Sequence, residues 1–313
     1  MTNWLPQTSN LGFRNTFYLG PIFAYTLSRA FLCNWRTNLS ANFYDVKQFA
    51  EEQFDLAHEG ASTIKFSLQA KSLSRSEVLT EQYGSVTANA LVDNPEYESL
   101  KQGYGKSVWS VMLAVDLRGS TSRAVEIGPK NTYLTMHTFL PTLINLVGSW
   151  DGAVVGLRGD GLIAHFGETE VESKESRSVA SAVACQAAQD SVNCGKAMIE
   201  AVLEIINPLL DSKGIQSDLR IGVGIDCGHS VVTRIGHLAA TELTAYGPPV
   251  NNACKFSDQQ NQIHVRTRVH DLYPKGDGGR VRFCPRGGGK SGMIVTFPSD
   301  MHMLNRTSTK KTR

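Results

Sequence analysis

The 313-residue sequence has few of the features that assign a chain quickly. Its six cysteines (Cys33, Cys185, Cys194, Cys227, Cys254 and Cys284) are scattered without a Cys-x-x-Cys pair. That spacing excludes a disulfide scaffold and a zinc cage and reads as reduced thiols. Charge of one sign is also missing. The balance of 31 basic and 29 acidic residues leaves +2, so no global field argues for nucleic-acid wrapping or membrane adsorption. The most apolar early stretch, Thr16 to Trp35, is interrupted by Gly20-Pro21, Ser28-Arg29 and Asn34, short of the roughly 20 apolar residues a membrane span needs. The start lacks the ordered basic, apolar and small-residue regions of a secretory leader, and the expected setting is cytoplasmic. The eight histidines form no metal-ligand cluster, and His165, between Ala164 and Phe166, reads as structural.

What is present is 41% hydrophobic residues, enough for a packed core. Residues 1–106 read as an accessory region and linker. They run aromatic and polar to Tyr44, helix-like from Asp45 to His58 with Phe49, Phe54 and Leu56 as packing residues, then rich in Ser, Thr and Asn, and Asn94 to Lys106 reads as the linker. Residues 107–300 alternate strand and helix. Ser107 to Val115 predicts a strand, followed by DLRGST and a helix ending near Trp150. Ala153–Leu157 and Leu162–Phe166 predict a hairpin around Gly159-Asp160-Gly161. Ser178 to Leu210 predicts a long helix, and Leu219–Ile225 with Ser230–Ile235 a second strand pair around Cys227-Gly228. A helix from Pro249 and strands at Arg280–Phe283 and Met293–Phe297 follow, and residues 301–313 read as a mobile basic tail. The order predicts an α/β (α+β) sandwich, helices over a mostly antiparallel sheet.

Two aspartates stand where strands end in glycine turns: Asp116 after Leu113-Ala-Val, and Asp160 within Arg158-Gly-Asp-Gly161. Adjacent strands would bring both carboxylates to one sheet edge, where divalent ions and a triphosphate could neutralise their repulsion. Asp is equally a common turn residue. Two other motifs fail. GGGKS lacks the earlier P-loop glycine, Cys284 standing in its place, and GVGIDCG leads into another strand rather than a nucleotide-binding helix.

DLRGST, GDGLIAHF, RIGVGIDCG and VNNACK occur in that order. Here the sequence resembles the catalytic domain of class III nucleotide cyclases, whose motifs run Asp-Ile-x-Gly-Phe-Thr, Gly-Asp-Gly, an Arg-Ile-Gly stretch and Val-Asn-x-Ala-x-Arg. The resemblance covers about Ser107 to Phe297 and implies a ferredoxin-like cyclase fold. It implies that Asp116 and Asp160, with the carbonyl of Leu117, hold two Mg²⁺ or Mn²⁺ ions. Gly119, Ser120 and Thr121 would cradle phosphates at a helix start. Asn251 would orient the ribose, and Lys255 stands where the family has a transition-state arginine, keeping the charge but losing the planar fork. Lys290 resembles a late lysine that contacts the terminal phosphates.

Purine cyclases of this class place a lysine four residues before the Gly-Asp-Gly aspartate and an Asp or Thr three residues before the glycine of a Trp-Gly step. Those positions are Gly156 and Thr244 here, so the donor to a purine is missing. Strand periodicity puts Gly156, Arg158 and Asp160 on one side, with Arg158 available to a pyrimidine carbonyl or to a nearby carboxylate. This combination resembles the pyrimidine cyclases of bacterial Pycsar anti-phage systems. The resemblance implies a homodimer with shared active sites, a nucleoside triphosphate substrate (UTP, or CTP) and a cyclic product read by a separate effector. No nucleic acid and no membrane is expected as a partner. The alternatives are an adenylate cyclase and a silent nucleotide-binding domain, and retention of both aspartates and Asn251 argues against the silent one.

Overall fold

The apolar run after the linker becomes the middle of an eight-stranded sheet. The computed structural model describes residues 41–63, 97, 100–169, 177–237, 240–274, 280–287 and 291–305. Strand β1 (Gly105–Leu117) is buried without interruption from Ser110 to Val115, as a strand covered on both faces must be. The chain then runs through α2 (Ser120–Ser149), the hairpin β2 (Gly152–Arg158) and β3 (Gly161–Thr169), α3 (Arg177–Ala201), a π turn over Val202–Ile206 and α4 (Asn207–Ser212). It continues with β4 (Ile221–His237), β5 (Ala240–Tyr246), α5 (Pro248–Phe256), β6 (Gln262–Val265), α6 (Thr267–Leu272), β7 (Arg282–Pro285) and β8 (Met293–Thr296). An earlier helix, α1 (Phe43–Thr63), precedes them all.

Strand order is β2-β3-β1-β4-β6-β8-β7, with β5 also paired to β4. Every pairing is antiparallel except β4 with β6. This is the expected helix-flanked, mostly antiparallel architecture. The two faces of the sheet differ. One buries Val111, Leu113, Val115 and Leu117 of β1 against Leu143 and Leu146 of α2, Met198 of α3 and Phe54 of α1. The other is thinner, with Met112, Ala114, Val155 and Ile163 under Val250 and Ala253 of α5 and under Tyr97. The Tyr97 hydroxyl donates to Glu168, which also pairs with Lys106 at 2.7 Å.

Several expectations need correction. Ile221 to His237 is one strand, not two, and pairs continuously along β1 through Ser110↔Gly228. The glycine read as a turn instead gives room to Arg268, whose Nη1 would lie 3.3 Å from a Cβ there. The hairpin partner of β4 is β5, which the sequence reading did not assign. The long helix after Ser178 breaks into α3, the π turn and α4, and α2 is kinked where Gly128 leaves helical geometry ahead of Pro129. Within α1, Phe54 is buried but Leu56 faces outward. Of the expected tail, Met303 and Leu304 are buried with their amides donating to Glu200, and residues after Asn305 lie outside the described residues. The five described cysteines are free thiols. Among the described residues no helix is long and apolar enough to cross a membrane.

Candidate active site

The two aspartates come together through strand register. Asp116 of β1 pairs with Gly161, the residue after Asp160. Paired Cα atoms in an antiparallel ladder lie about 4.5 to 5.5 Å apart and consecutive ones about 3.8 Å, so the two aspartate Cα atoms are within about 9 Å. The approach needs glycine at 161, because a Cβ there would lie 2.2 Å from the Val115 carbonyl oxygen. The sequence reading expected divalent ions beside these carboxylates, with Arg158 as an alternative partner for one of them. The structure instead pairs Asp116 with Arg118, whose Nη1 also donates to the Asp258 carbonyl at 3.3 Å.

Beyond Leu117 the chain turns through Gly119, held left-handed at φ 72°, into α2. A cavity of about 330 Å³ opens where this turn meets the β2–β3 turn. Leu117, Ser120, Thr121 and Asp160 line it, with Arg123, Ile127, Thr135 and Met136 behind them. Burial holds the Arg123 guanidinium below the usual arginine range, and it donates to the Gln216 carbonyl at 2.6 Å. Asp160 therefore does not share a side with Gly156 and Arg158. It sits in the turn, on the α2 side, while the two strand residues pair with Ile163 and Gly161. A bulge at Val155 shifts the register of β2 before them. No group of three or more His, Cys, Asp or Glu side chains is poised for a metal among the described residues. Two carboxylates and a carbonyl are hard oxygen donors that fill part of the shell of Mg²⁺ or Mn²⁺ and leave room for phosphate oxygens, so the set fits a substrate-completed divalent site.

The other half of the motif set lies on α5. Gly247 at φ 152° and the Pro248-Pro249 pair start the helix. Asn251 and Lys255, four apart, are both exposed, on one helical face. The helix lies backbone against backbone on β4. A Cβ at Gly224 would stand 2.0 Å from the Ala253 carbonyl oxygen, and one at Gly222 would stand 2.2 Å from that of Ser257. Side-chain-free strand positions at 222 and 224 are thus what the Arg-Ile-Gly stretch supplies.

Gly156 and Thr244, the two positions expected from the resemblance to read the base, are neighbours. A Cβ on Gly156 would sit in ordinary contact, 3.9 Å from both Thr244 Oγ1 and the Leu243 carbonyl oxygen. Burial pushes the Cys254 thiol up and the Arg158 charge pulls it back, which sets Arg158 within electrostatic reach of α5. Lys290 lies outside the described residues. Sequence reasoning missed a polar group beside α5, made of the buried Asp226, the half-buried Asn252 and the exposed Arg268. The available signal was one acid interrupting the apolar alternation of RIGVGIDCG.

No family model matches the sequence. Over 179 residues the chain is 28% identical to a cytidylate cyclase of Escherichia coli, covering 56% of this chain and 37% of the relative. It is 22% identical over 169 residues to a uridylate cyclase of Rhodovulum sp. (strain MB263), covering 52% and 63% respectively. The chain thus spans less than two thirds of these relatives' length. Among solved structures, an adenylyl cyclase from P. aeruginosa superposes with a TM-score of 0.52 at 18% identity, over 64% of this chain and 100% of that one. The chain carries the class III nucleotide cyclase fold, and its sequence is similar to the pyrimidine cyclases.

Proposed function

We propose that the protein is a pyrimidine nucleotide cyclase, converting CTP or UTP to the 3′,5′-cyclic monophosphate and pyrophosphate. The observation that carries this reading is the Asp116↔Gly161 register, which puts two carboxylates at adjoining strand ends beside a cavity lined by Ser120 and Thr121. Asp116, Asp160 and the Leu117 carbonyl would hold two divalent ions. When bound, these ions supply an activated ribose 3′-hydroxyl and a neutralised triphosphate.

The chain's own groups do the rest. Backbone amides at Gly119, Ser120 and Thr121 face the phosphates, and the family resemblance gives Lys290 the role of contacting the terminal ones. The Asn251 amide orients the ribose so that its 3′-oxygen meets the α-phosphorus, forming one P–O bond as the bond to pyrophosphate breaks. Lys255 donates to the α-phosphate oxygen as charge builds there, a task the family gives to arginine. By the family resemblance, Asn251 and Lys255 of a second copy complete each site: α5 covers the thin face of the sheet, whereas Asp160 lines the cavity on the α2 side. Support for that partner is an apolar strip of exposed side chains, Tyr104, Val231, Ile235 and Tyr246, along β4, β5 and the start of β1.

The base preference rests on the glycine at 156. It offers a purine no donor, while Arg158 on the same strand face can donate to a pyrimidine carbonyl, with Thr244 opposite. Identity is higher to the cytidylate cyclase, so CTP is the first substrate to try, then UTP. By the same resemblance, the product is a second messenger of anti-phage defence. The test is incubation of the full chain with each of the four ribonucleoside triphosphates and Mn²⁺, followed by chromatography. Cyclic CMP or cyclic UMP is expected. ATP as the sole substrate, or no turnover with any of the four, overturns the reading.

A further inference from the structure

Asp226 has no solvent exposure, yet it carries a carboxylate into the thin face of the sheet. Four hydrogen bonds satisfy it. The Cys227 amide donates at 2.8 Å, the Asn252 side-chain amide at 2.8 Å, and Arg268 donates twice in parallel, Nε and Nη2 each at 2.5 Å. The partners come from three elements, β4, α5 and α6. Hydrogen bonding to Asp226 holds the Arg268 guanidinium above its ordinary range, despite the burial that works against it. The pair is buried on the Asp226 side only, with Arg268 at the surface, and its parallel two-bond geometry is exacting.

That geometry matters because of how α5 sits. Its crossing with β4 is made at Gly222 and Gly224, and the strand side chains that meet it elsewhere, Met112, Ala114, Val155 and Ile163, are apolar and make no directional bond to it. Val250 and Phe256 are buried near the two ends of the helix, Phe256 with the Arg286 guanidinium 4.7 Å from its ring centroid. Asn252 is the α5 side chain that reaches a directional partner beneath. It neighbours Asn251, about 100° round the helix, and lies three residues before Lys255.

We infer that Asp226 and Arg268, acting through Asn252, form a positioning clamp that sets the rotation of α5 and thereby the placement of Asn251 and Lys255 at the reacting phosphate. The inference rests on the cyclase reading for what Asn251 and Lys255 do, but not for the clamp itself. A rotation of about 25° at the Cα radius of about 2.3 Å displaces Asn251 by about 1 Å. A misplacement of that size is enough for a loss of about 100-fold in rate. None of the three clamp residues is assigned a contact with substrate, so their effect falls on kcat rather than KM.

The experiment is a double-mutant cycle in the full chain, with hydrogen exchange as a second readout. Asn252→Ala is expected to lower kcat about 10- to 100-fold with KM within about threefold. The double variant Asn251→Ala/Asn252→Ala should be slower than Asn251→Ala by clearly less than the Asn252→Ala loss, since the part of the clamp's effect that runs through Asn251 is already gone and only the part through Lys255 remains. Arg268→Lys, which keeps the charge but loses the parallel fork, should give an intermediate loss and serves if Asn252→Ala does not fold. Wild-type kcat in Asn252→Ala, or a double variant as slow as the product of the two single losses, overturns the clamp. If the wild type cyclises no nucleotide, the cyclase reading fails and exchange decides the clamp alone. Faster amide exchange over residues 250–256 in Asn252→Ala upholds it, and unchanged exchange overturns it.

Discussion

The acidic end of the sheet and the exposed face of α5 carry the two halves of the candidate site, and they are built in opposite ways. At the acidic end, everything needed lies within residues 116–121 and 159–161. A strand ends, a left-handed glycine starts a helix, and a glycine in the neighbouring hairpin lets the two backbones approach. On α5, Asn251 and Lys255 depend on residues scattered from Gly222 to Arg268. The first half is a product of local backbone geometry, and the second is a product of long-range packing. Substitutions at the first should therefore strike chemistry directly, and those around the second should strike it through orientation.

The largest expected effect is at the acidic end. Asp116→Ala should lower turnover at least about 1,000-fold, since metal charge stabilisation is worth several kcal/mol and each 1.4 kcal/mol is tenfold. Its thermal midpoint should stay within a few degrees, because the side chain is partly exposed and its bond to Arg118 is a surface pair. Comparable activity in this variant would break the contrast outright. Next is Lys255→Ala, with a fall in kcat of about 100- to 1,000-fold, the range for a lost transition-state donor. Lys255→Arg restores the planar fork and should match or exceed the wild type in the same steady-state assay.

The third prediction sharpens the packing side. Gly224→Ala puts a methyl where the Ala253 carbonyl stands, and should cost about 1 to 3 kcal/mol, read as a lower urea midpoint at unchanged slope. The smallest effect belongs to Arg118→Ala. Removing the guanidinium that occupies Asp116 frees it for a cation, so Mn²⁺ affinity should rise by up to about fivefold, the equivalent of about 1 kcal/mol for a surface pair.

The same contrast explains what could be read from the sequence. The strand-end positions of Asp116 and Asp160 and the β2–β3 hairpin were legible because turn glycines and apolar alternation are local signals. The strand pair expected around Cys227-Gly228 was not two strands, because a glycine kept for space beside Arg268 looks the same in sequence as one kept for a turn. β5 and β6 went unassigned. The first follows that misread turn, and the second is only four residues long. Arg118 passed as a filler between motif residues, since its contact with Asp116 exists only once β1 has ended and the chain has begun to turn. Asp226, Asn252 and Arg268 span 42 positions, and no local pattern announces that they converge.

The central claim is that Asp116 and Asp160 act as one divalent-ion site. Mn²⁺ binding followed by electron paramagnetic resonance, with a non-hydrolysable CTP analogue present, tests it most directly in the wild type, Asp116→Asn and Asp160→Asn. Loss of bound Mn²⁺ in both single variants, with nucleotide-free protein still folded, is the predicted result. Binding within twofold of the wild type in either variant would contradict it.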